Sequence, residues 1–437
     1  MRARGRRWVV LVLACAVGGY AAALLVYNPL TLSLFGGGGG AEDSVPLADF
    51  GSFYASGLAA RQGLDPYNVY PLTMDASLGR GGGAAINLNA PTSVILFEFV
   101  SALDPVSARR AWFIATFVAY ALMLGLLLWR YPSVRSPLAV AWALLLTGFI
   151  ETVLLGQVYV FLASLSTVAW VLMEPDAAAS ASLRSLPESR AGHAEEMAAS
   201  AGGSARSGVE PGTGRGRELC GRGGAGGRVR VTSPWRWLVA GALIGIVVAF
   251  KPNFTVWPGL LLLAGYWRVA LASVVAIAGF GAIPLVRYGP RVYAEWLSAL
   301  RLEQVNTQVA NASLAGLLVR DGAAPVVGLA AGVVLLIGVG IWVWRRRPSF
   351  GATSGLALVG LLLGSPLAWV GYSVFLLPMV ARGRMNLALL VACCLLCLPR
   401  LVLQGWADES VWLSLSLGAA YSVAWLILLV QATRDGS

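Results

Sequence analysis

Two side chains that are common at enzyme sites are almost absent from this chain of 437 residues. It contains a single histidine, His193, and a single lysine, Lys251. His193 lies in a stretch of Ala, Gly, Ser and Arg that has no apolar periodicity, so no histidine accompanies the hydrophobic runs. Acid–base chemistry near those runs must therefore fall to Asp, Glu or Tyr side chains.

Charge is also scarce, because charged residues make up 12% of the chain and hydrophobic residues 57%. With a mean hydropathy of +0.72, this composition excludes a soluble globular protein. Apolar runs predict about twelve transmembrane helices. They lie near 8–27, 111–129, 137–155, 157–173, 235–250, 252–266, 268–287, 326–344, 351–364, 367–381, 386–402 and 411–430. The shorter run 91–103 is typical of a re-entrant or interfacial segment.

Arginines before the first run place the N-terminus in the cytoplasm, and an even number of crossings returns the C-terminus there. The chain is predicted to be one plasma-membrane domain, 1–437. Its first outer loop is 28–110 and its second is 288–325. The segment 174–234 is predicted to be a disordered cytoplasmic insert, because its Gly, Ala, Ser and Arg residues cannot bury enough apolar surface to fold.

Several kinds of site find no support in the residues present. The cysteines Cys393, Cys394 and Cys397 have no histidine or carboxylate near them in sequence, so packing explains them better than metal binding. The outer loops contain no clustered carboxylates that would demand a divalent metal. No basic stripe with interleaved aromatics indicates nucleic acid. The net charge of +11 fits membrane topology and anionic lipid headgroups instead.

Two charged residues stand out beside apolar runs. Asp49 follows the first run and precedes the aromatic residues Phe50, Phe53 and Tyr54. This pattern favours an acid that acts at the water–lipid boundary, although a helix N-cap or a surface acid gives the same pattern. Lys251 precedes Pro252 at a break between two runs, where a cation is costly unless it is paired or reaches water. It is either a snorkelling anchor or a contact to a phosphate of a lipid-linked substrate.

Six short motifs follow one another along the chain. They are Asp49-Phe50 with Gly63-Leu64-Asp65-Pro66-Tyr67, Asn87-Leu88-Asn89-Ala90-Pro91, Gly156-Gln157-Val158-Tyr159, Lys251-Pro252, Asn311-Ala312-Ser313-Leu314, and Ser365-Pro366-Leu367-Ala368-Trp369. With these motifs the chain resembles the polyprenol-phosphate-mannose-dependent α-mannosyltransferases of actinobacteria, which belong to the GT-C superfamily of membrane glycosyltransferases. The resemblance covers most of the chain except 174–234. It implies an all-α polytopic fold of GT-C type with a large first outer loop.

The resemblance also implies a reaction. A sugar, here expected to be mannose, leaves a polyprenyl-phosphate donor and joins a hydroxyl of a glycolipid or lipoglycan acceptor outside the bilayer, with inversion and without a cofactor. Asp49 would be the general base, and Lys251 would hold the donor phosphate. The weaker candidates for that phosphate are Arg287, Arg291 and Arg320. The expected substrate-binding residues are Tyr54, Asp65, Tyr67, Asn89, Gln157, Asn311, Trp369 and Tyr372.

One departure from the family and two alternatives remain open. Gly371-Tyr372 stands where many relatives carry a pair of histidines, so the sugar is not fixed. The same motifs fit an arabinofuranosyltransferase that uses a polyprenyl-phosphate arabinose donor. A lipid or solute transporter is the non-enzymatic alternative, and it should show broken helices at matching positions in two halves. The outer loop that carries Asp49 has no counterpart in the second half, which counts against a transporter.

Overall fold

The computed structural model describes residues 48–68, 86–174, 233–302, 307–400, 403–404, 412, 416 and 418–436. The chain divides into two units, one of 1–173 with 235–437 and one of 174–234. The first predicted crossing, 8–27, lies outside the described residues, and so does nearly all of the second unit. The crossing at 8–27 and the disorder of the insert therefore stay predictions.

The described part of the chain is helical, and its only β pairing is an isolated antiparallel bridge between Asn311 and Trp369. Its α-helices, in chain order, are α1 (Ala48–Arg61), α2 (Thr92–Val100), α3 (Pro105–Arg130), α4 (Pro137–Leu144), α5 (Thr147–Leu155), α6 (Tyr159–Met173), α7 (Pro234–Phe250), α8 (Val256–Leu263), α9 (Trp267–Tyr288), α10 (Arg291–Leu302), α11 (Leu314–Arg320), α12 (Pro325–Arg346), α13 (Phe350–Gly364), α14 (Leu377–Arg382), α15 (Leu387–Leu395) and α16 (Ala420–Asp435). Short 3₁₀ helices occupy Pro132–Val134, Pro252–Thr255 and Val370–Leu376. The predicted all-α class is confirmed.

Among the described residues, three helices, α3, α9 and α12, are long and apolar enough to cross a membrane. The pair α4 and α5, bent by 41°, counts as a fourth span if it is taken as one broken helix. Large apolar side chains on the three long helices are exposed, among them Ile114, Val275 and Val334. Apolar faces of this extent suit contact with lipid rather than water. The polytopic membrane class predicted from composition is thus confirmed.

Other predicted crossings correspond to shorter helices. The predicted crossing 252–266 consists of the 3₁₀ turn Pro252–Thr255 followed by α8, which has 8 residues. The predicted crossing 367–381 likewise divides into the 3₁₀ helix Val370–Leu376 and α14, with Pro378 in the first turn. Proline has no N–H and interrupts helical hydrogen bonding, which explains why these apolar runs are not continuous helices. The count of twelve crossings stays a prediction.

Helix α13 lies at the centre of the core, because every residue in Phe350–Leu363 is buried. It packs against α6, α8, α12 and α16. A polar contact also joins it to α8, since Trp257 Nε1 donates to Ser354 Oγ at 3.0 Å. The structure therefore surrounds α13 with protein and leaves α3, α9 and α12 partly open to lipid.

Small residues bring α7 close to α9. A Cβ atom at Gly241 would lie 2.5 Å from the Cβ of Ala272, and one at Gly245 would lie 2.5 Å from that of Ala276. Two glycines four residues apart allow membrane helices to approach backbone to backbone. This contact fixes the end of α7, where Lys251 follows.

The predicted sidedness can be tested by cysteine labelling. We expect Ser77→Cys, in loop 28–110, to react with an impermeant maleimide in intact cells, and Ser204→Cys, in the insert, to react only after permeabilisation. The experiment needs a Cys220→Ser background, because Cys220 lies in the same insert. Labelling of Ser204→Cys in intact cells would contradict the predicted orientation.

Candidate functional site

The candidate site is built around Asp49, the second residue of α1. Its side chain is half-buried, and its Oδ2 accepts a hydrogen bond from Nε2 of Gln157. These two residues are 108 positions apart in the chain. The structure thus brings together the first and third of the motifs found in the sequence.

A tight turn after α5 makes this contact possible. Gly156 has φ 71°, a left-handed conformation that commonly ends a helix and that glycine adopts without strain. A Cβ atom at Gly156 would lie 2.5 Å from the Cβ of Phe50, so the start of α1 rests directly on this turn. Trp112 Nε1 donates to the Gly156 carbonyl at 2.9 Å and fixes the turn from the side of α3.

The surroundings of Asp49 adjust its basicity. Burial raises the pKa of Asp49 above its usual value, while the hydrogen bond from Gln157 and the charges of Lys251 and Arg400 lower it. The net effect is a raised pKa. A carboxylate with a raised pKa is a stronger base than an exposed one, yet it remains able to ionise because the charges of Lys251 and Arg400 favour the ionised form.

Lys251 lies over two tyrosine rings at the end of α7. Its Nζ is 5.1 Å from the ring centroid of Tyr159 and 5.8 Å from that of Tyr372. The two rings are themselves 4.5 Å apart, so they form one platform. Cation–π contacts of this kind contribute about 0.5–2 kcal/mol each, depending on desolvation. In the described part of the chain, no carboxylate pairs with Lys251 within 4.0 Å, which leaves the ammonium group able to bind an anion.

The Gly371-Tyr372 pair has a structural explanation. A Cβ atom at Gly371 would lie 2.8 Å from Cδ2 and Cε2 of Tyr159. The ring of Tyr372 also contacts the rings of Phe254 and Phe375. A side chain at position 371 would therefore displace Tyr159 from beneath Lys251.

This close approach predicts that Gly371→Ala disturbs the platform. We expect the KM for the donor to rise several-fold because Lys251 loses one of its two rings, while the protein still reaches the membrane. Steady-state kinetics with varied donor would measure the effect. Gly279→Ala on α9 is the matched control, because a Cβ there meets nothing within 4 Å. An unchanged KM in Gly371→Ala would show that the platform does not position Lys251 for the donor.

Asn89 lies next to the break that carries Lys251. The N–H of Ala90 donates to the carbonyl of Phe250 at 3.4 Å, and Asn87 Oδ1 accepts from the N–H of Asn89 at 3.0 Å. Asn89 is buried, and neither its Nδ2 nor its Oδ1 has a partner among the described residues. A buried amide without partners is costly in free energy, so it is suited to hydrogen-bond a polar ligand.

Three further predicted site residues take part in hydrogen bonds with the backbone. Tyr67 donates through its hydroxyl to the Asn89 carbonyl at 2.8 Å, and Asp65 Oδ1 accepts from the Tyr67 N–H at 2.8 Å. The hydroxyl of Tyr54 donates to the Leu103 carbonyl at 2.9 Å. Tyr67 and Asp65 thus support the segment that carries Asn89, whereas Tyr54 binds the turn between α2 and α3.

The other predicted phosphate-binding residues have partners of their own. Arg287 Nη2 lies 2.7 Å from Glu98 Oε1, and Arg291 Nε lies 2.8 Å from Glu295 Oε1. Arg320 Nη2 donates to the Gly418 carbonyl at 3.1 Å. The cations whose charges lower the pKa of Asp49 are Lys251 and Arg400 instead.

Asn311 and Trp369 join two segments rather than facing Asp49. Asn311 Oδ1 accepts from the Ala368 N–H and from Ser313 Oγ, both at 2.9 Å. The backbone bridge between Asn311 and Trp369 adds to this connection. Together they anchor the segment that continues into Gly371 and Tyr372.

The structure adds residues that the sequence-based site did not include. Arg400 Nε lies 3.0 Å from Glu151 Oε1, and the charges of both residues reach Asp49. Tyr159, which had been noted only as part of a motif, forms half of the platform under Lys251. Glu151 could have been found, because a carboxylate within the apolar run 137–155 is itself a sign of function.

Among the described residues, no group of three or more His, Cys, Asp or Glu side chains could hold a metal ion. The expectation that transfer needs no metal stays a prediction. No curated protein and no solved structure matches the chain. The family model for glycosyltransferase family 87 matches residues 223–368, a region that includes Lys251 and ends at Ala368, whereas Asp49 lies outside it. This similarity, together with the apolar helices, supports a membrane glycosyltransferase.

Proposed function

We propose that the protein transfers mannose from a polyprenyl-phosphate donor to a hydroxyl of a glycolipid or lipoglycan on the outer side of the plasma membrane. One observation carries the proposal. The half-buried carboxylate of Asp49, oriented by Gln157, interacts electrostatically with Lys251. Lys251 lies over two tyrosine rings, and no carboxylate of the described residues pairs with it.

The chemistry is a single displacement with inversion. Asp49 takes the proton of the acceptor hydroxyl while that oxygen attacks the anomeric carbon of the donor sugar. The bond from the anomeric carbon to the phosphate oxygen breaks, and the polyprenyl phosphate leaves with the electron pair. One carboxylate suffices, because a phosphate that is held by a cation leaves without being protonated.

Lys251 supplies that cation. The charge on the leaving phosphate grows in the transition state, so an ammonium group near it lowers the barrier more than it strengthens binding of the donor. Asn89, whose amide has no partner in the described part of the chain, would bind a hydroxyl of the sugar or an oxygen of the phosphate.

An apolar groove supports a donor with a lipid tail. It lies between α8 and α12, has a volume of about 570 Å³, and extends from Val256 and Val333 to Leu263 and Trp344. Val256 is five residues beyond Lys251 in the chain. In this proposal the phosphate binds at Lys251 and the polyprenyl chain occupies the groove.

Membranes that contain the protein would test the proposal. They are incubated with radiolabelled polyprenyl-phosphate mannose, and separately with the arabinose donor, and the labelled lipid is identified. We expect mannose to enter a glycolipid or lipoglycan, and this labelling to disappear in Asp49→Asn. Labelling from the arabinose donor alone would favour the arabinofuranosyltransferase, whereas movement of donor across the bilayer without any transfer would favour a transporter.

A further inference from the structure

An ion pair lies near enough to Asp49 for its charges to interact with that carboxylate. Glu151 on α5 and Arg400, which follows α15, are 249 positions apart, yet their Oε1 and Nε atoms are 3.0 Å apart. Their side chains are 10% and 27% exposed, so water solvates this pair poorly. Buried ion pairs do not in general stabilise a fold more than apolar residues of similar size do. Stability alone therefore does not explain why a buried ion pair is present here.

Both members of this pair interact with Asp49 through their charges. Among the described residues, the titratable or charged groups that act on Asp49 or on its neighbours in the site are Lys251, Arg400, Glu151, Tyr159 and Tyr372. Gln157 is the hydrogen-bonded neighbour of Asp49. Lys251 is turned toward two aromatic rings. Arg400 is turned toward Glu151 instead of forming an ion pair with Asp49 within 4.0 Å.

We propose that Glu151 is a positioning residue, which holds Arg400 away from Asp49 and so keeps the carboxylate able to accept the acceptor proton. The inference rests on the proposed function. A guanidinium group forms strong, often bidentate hydrogen bonds with a carboxylate. If Glu151 were uncharged, Arg400 would find its next carboxylate in Asp49, and a direct pair would occupy the oxygens that the base needs.

Three variants separate this role from a merely structural one. We expect Glu151→Gln to lower kcat by about 10²-fold, as for loss of a general base, with a much smaller change in the KM for the donor. Adding Arg400→Gln to Glu151→Gln should restore most of the rate, because no guanidinium remains to form an ion pair with Asp49. Arg400→Gln alone should be clearly less impaired than Glu151→Gln, because no guanidinium can then pair with Asp49. Arg135→Gln is the matched control, because Arg135 binds backbone carbonyls of Leu128 and Trp129.

The pH profile gives a second readout. The base must be ionised, so the rate falls as the pH falls through the pKa of Asp49. Arg400 lowers that pKa, and its removal should therefore move the acid limb to higher pH. Glu151→Gln leaves the charge of Arg400 unbalanced and should move the acid limb to lower pH. A structural defect would not move the acid limbs of the two variants in opposite directions.

Several outcomes would overturn the inference. Normal kcat in Glu151→Gln would do so, as would a double variant as slow as the single one. Inactivity of Arg400→Gln would also overturn it, because Arg400 would then be required for transfer and not merely held away from Asp49. If Glu151→Gln does not reach the membrane, Arg400→Gln and the double variant decide, since both are expected to be active. Absence of transfer by the unmodified protein would instead contradict the proposed function.

Discussion

Asp49→Asn is expected to lower the rate of sugar transfer by about 10²-fold or more, the loss typical of a removed general base. The amide keeps the size and shape of the carboxylate, and its oxygen can still accept the hydrogen bond from Gln157. It cannot accept a proton from an attacking hydroxyl. We therefore expect normal expression and normal binding of donor, with the loss confined to kcat, measured with radiolabelled donor and acceptor.

Asp104→Asn is the matched control in the same predicted outer loop. Asp104 caps α3 by accepting from the N–H groups of Val106 at 3.1 Å and Ser107 at 3.0 Å. Asn caps helices about as well as Asp, so this variant should keep both its fold and its activity. Full activity in Asp49→Asn would contradict the mechanism and would favour the transporter.

Lys251→Ala is expected to have the second largest effect. Removing a charge that faces the leaving phosphate should reduce kcat/KM by roughly 10²-fold, the scale seen when one transition-state contact is lost. Both kcat and KM should change, because the cation binds the donor and also stabilises the departing phosphate. Lys251→Arg should recover part of the loss, and less of it if the planar guanidinium does not fit between the rings of Tyr159 and Tyr372. Measurement of kcat and KM with varied donor separates the two effects.

Arg268 offers the control for Lys251. It is also a cation over aromatic rings, with its Cζ 5.2 Å from the ring of Trp267 and 5.8 Å from that of Trp237, and it is predicted to lie on the cytoplasmic side. Arg268→Ala should leave both kinetic constants nearly unchanged. If Lys251→Ala behaves like Arg268→Ala, Lys251 is a membrane anchor and the phosphate is held elsewhere.

The sequence predicted helices well where an apolar run is unbroken. The run 111–129 became α3 and the run 268–287 became α9, each within a few residues except at the start of α3. The start of α3 was also predictable from the sequence, because Asp104-Pro105 combines a capping side chain with a proline at the first helical position. Runs that contain Pro252 or Pro378 divided into shorter pieces, since composition shows apolarity but not continuity.

The candidate site was likewise predictable from the sequence only in part. The order of the motifs pointed to Asp49, Gln157 and Lys251, and the structure places these residues around one centre. Partners that are far apart in sequence were not predictable. Arg287 pairs with Glu98, and Arg400 pairs with Glu151, because tertiary packing decides which opposite charges meet. A sequence read alone gives the residue types but not these pairings.

The anomeric configuration of the product tests the central claim most directly. Purified protein in proteoliposomes is supplied with a β-linked polyprenyl-phosphate mannose and a glycolipid acceptor, and the new linkage is assigned by NMR. A single displacement with Asp49 as base predicts an α-linked product. A β-linked product would require two displacements and a second nucleophile, and it would contradict the account.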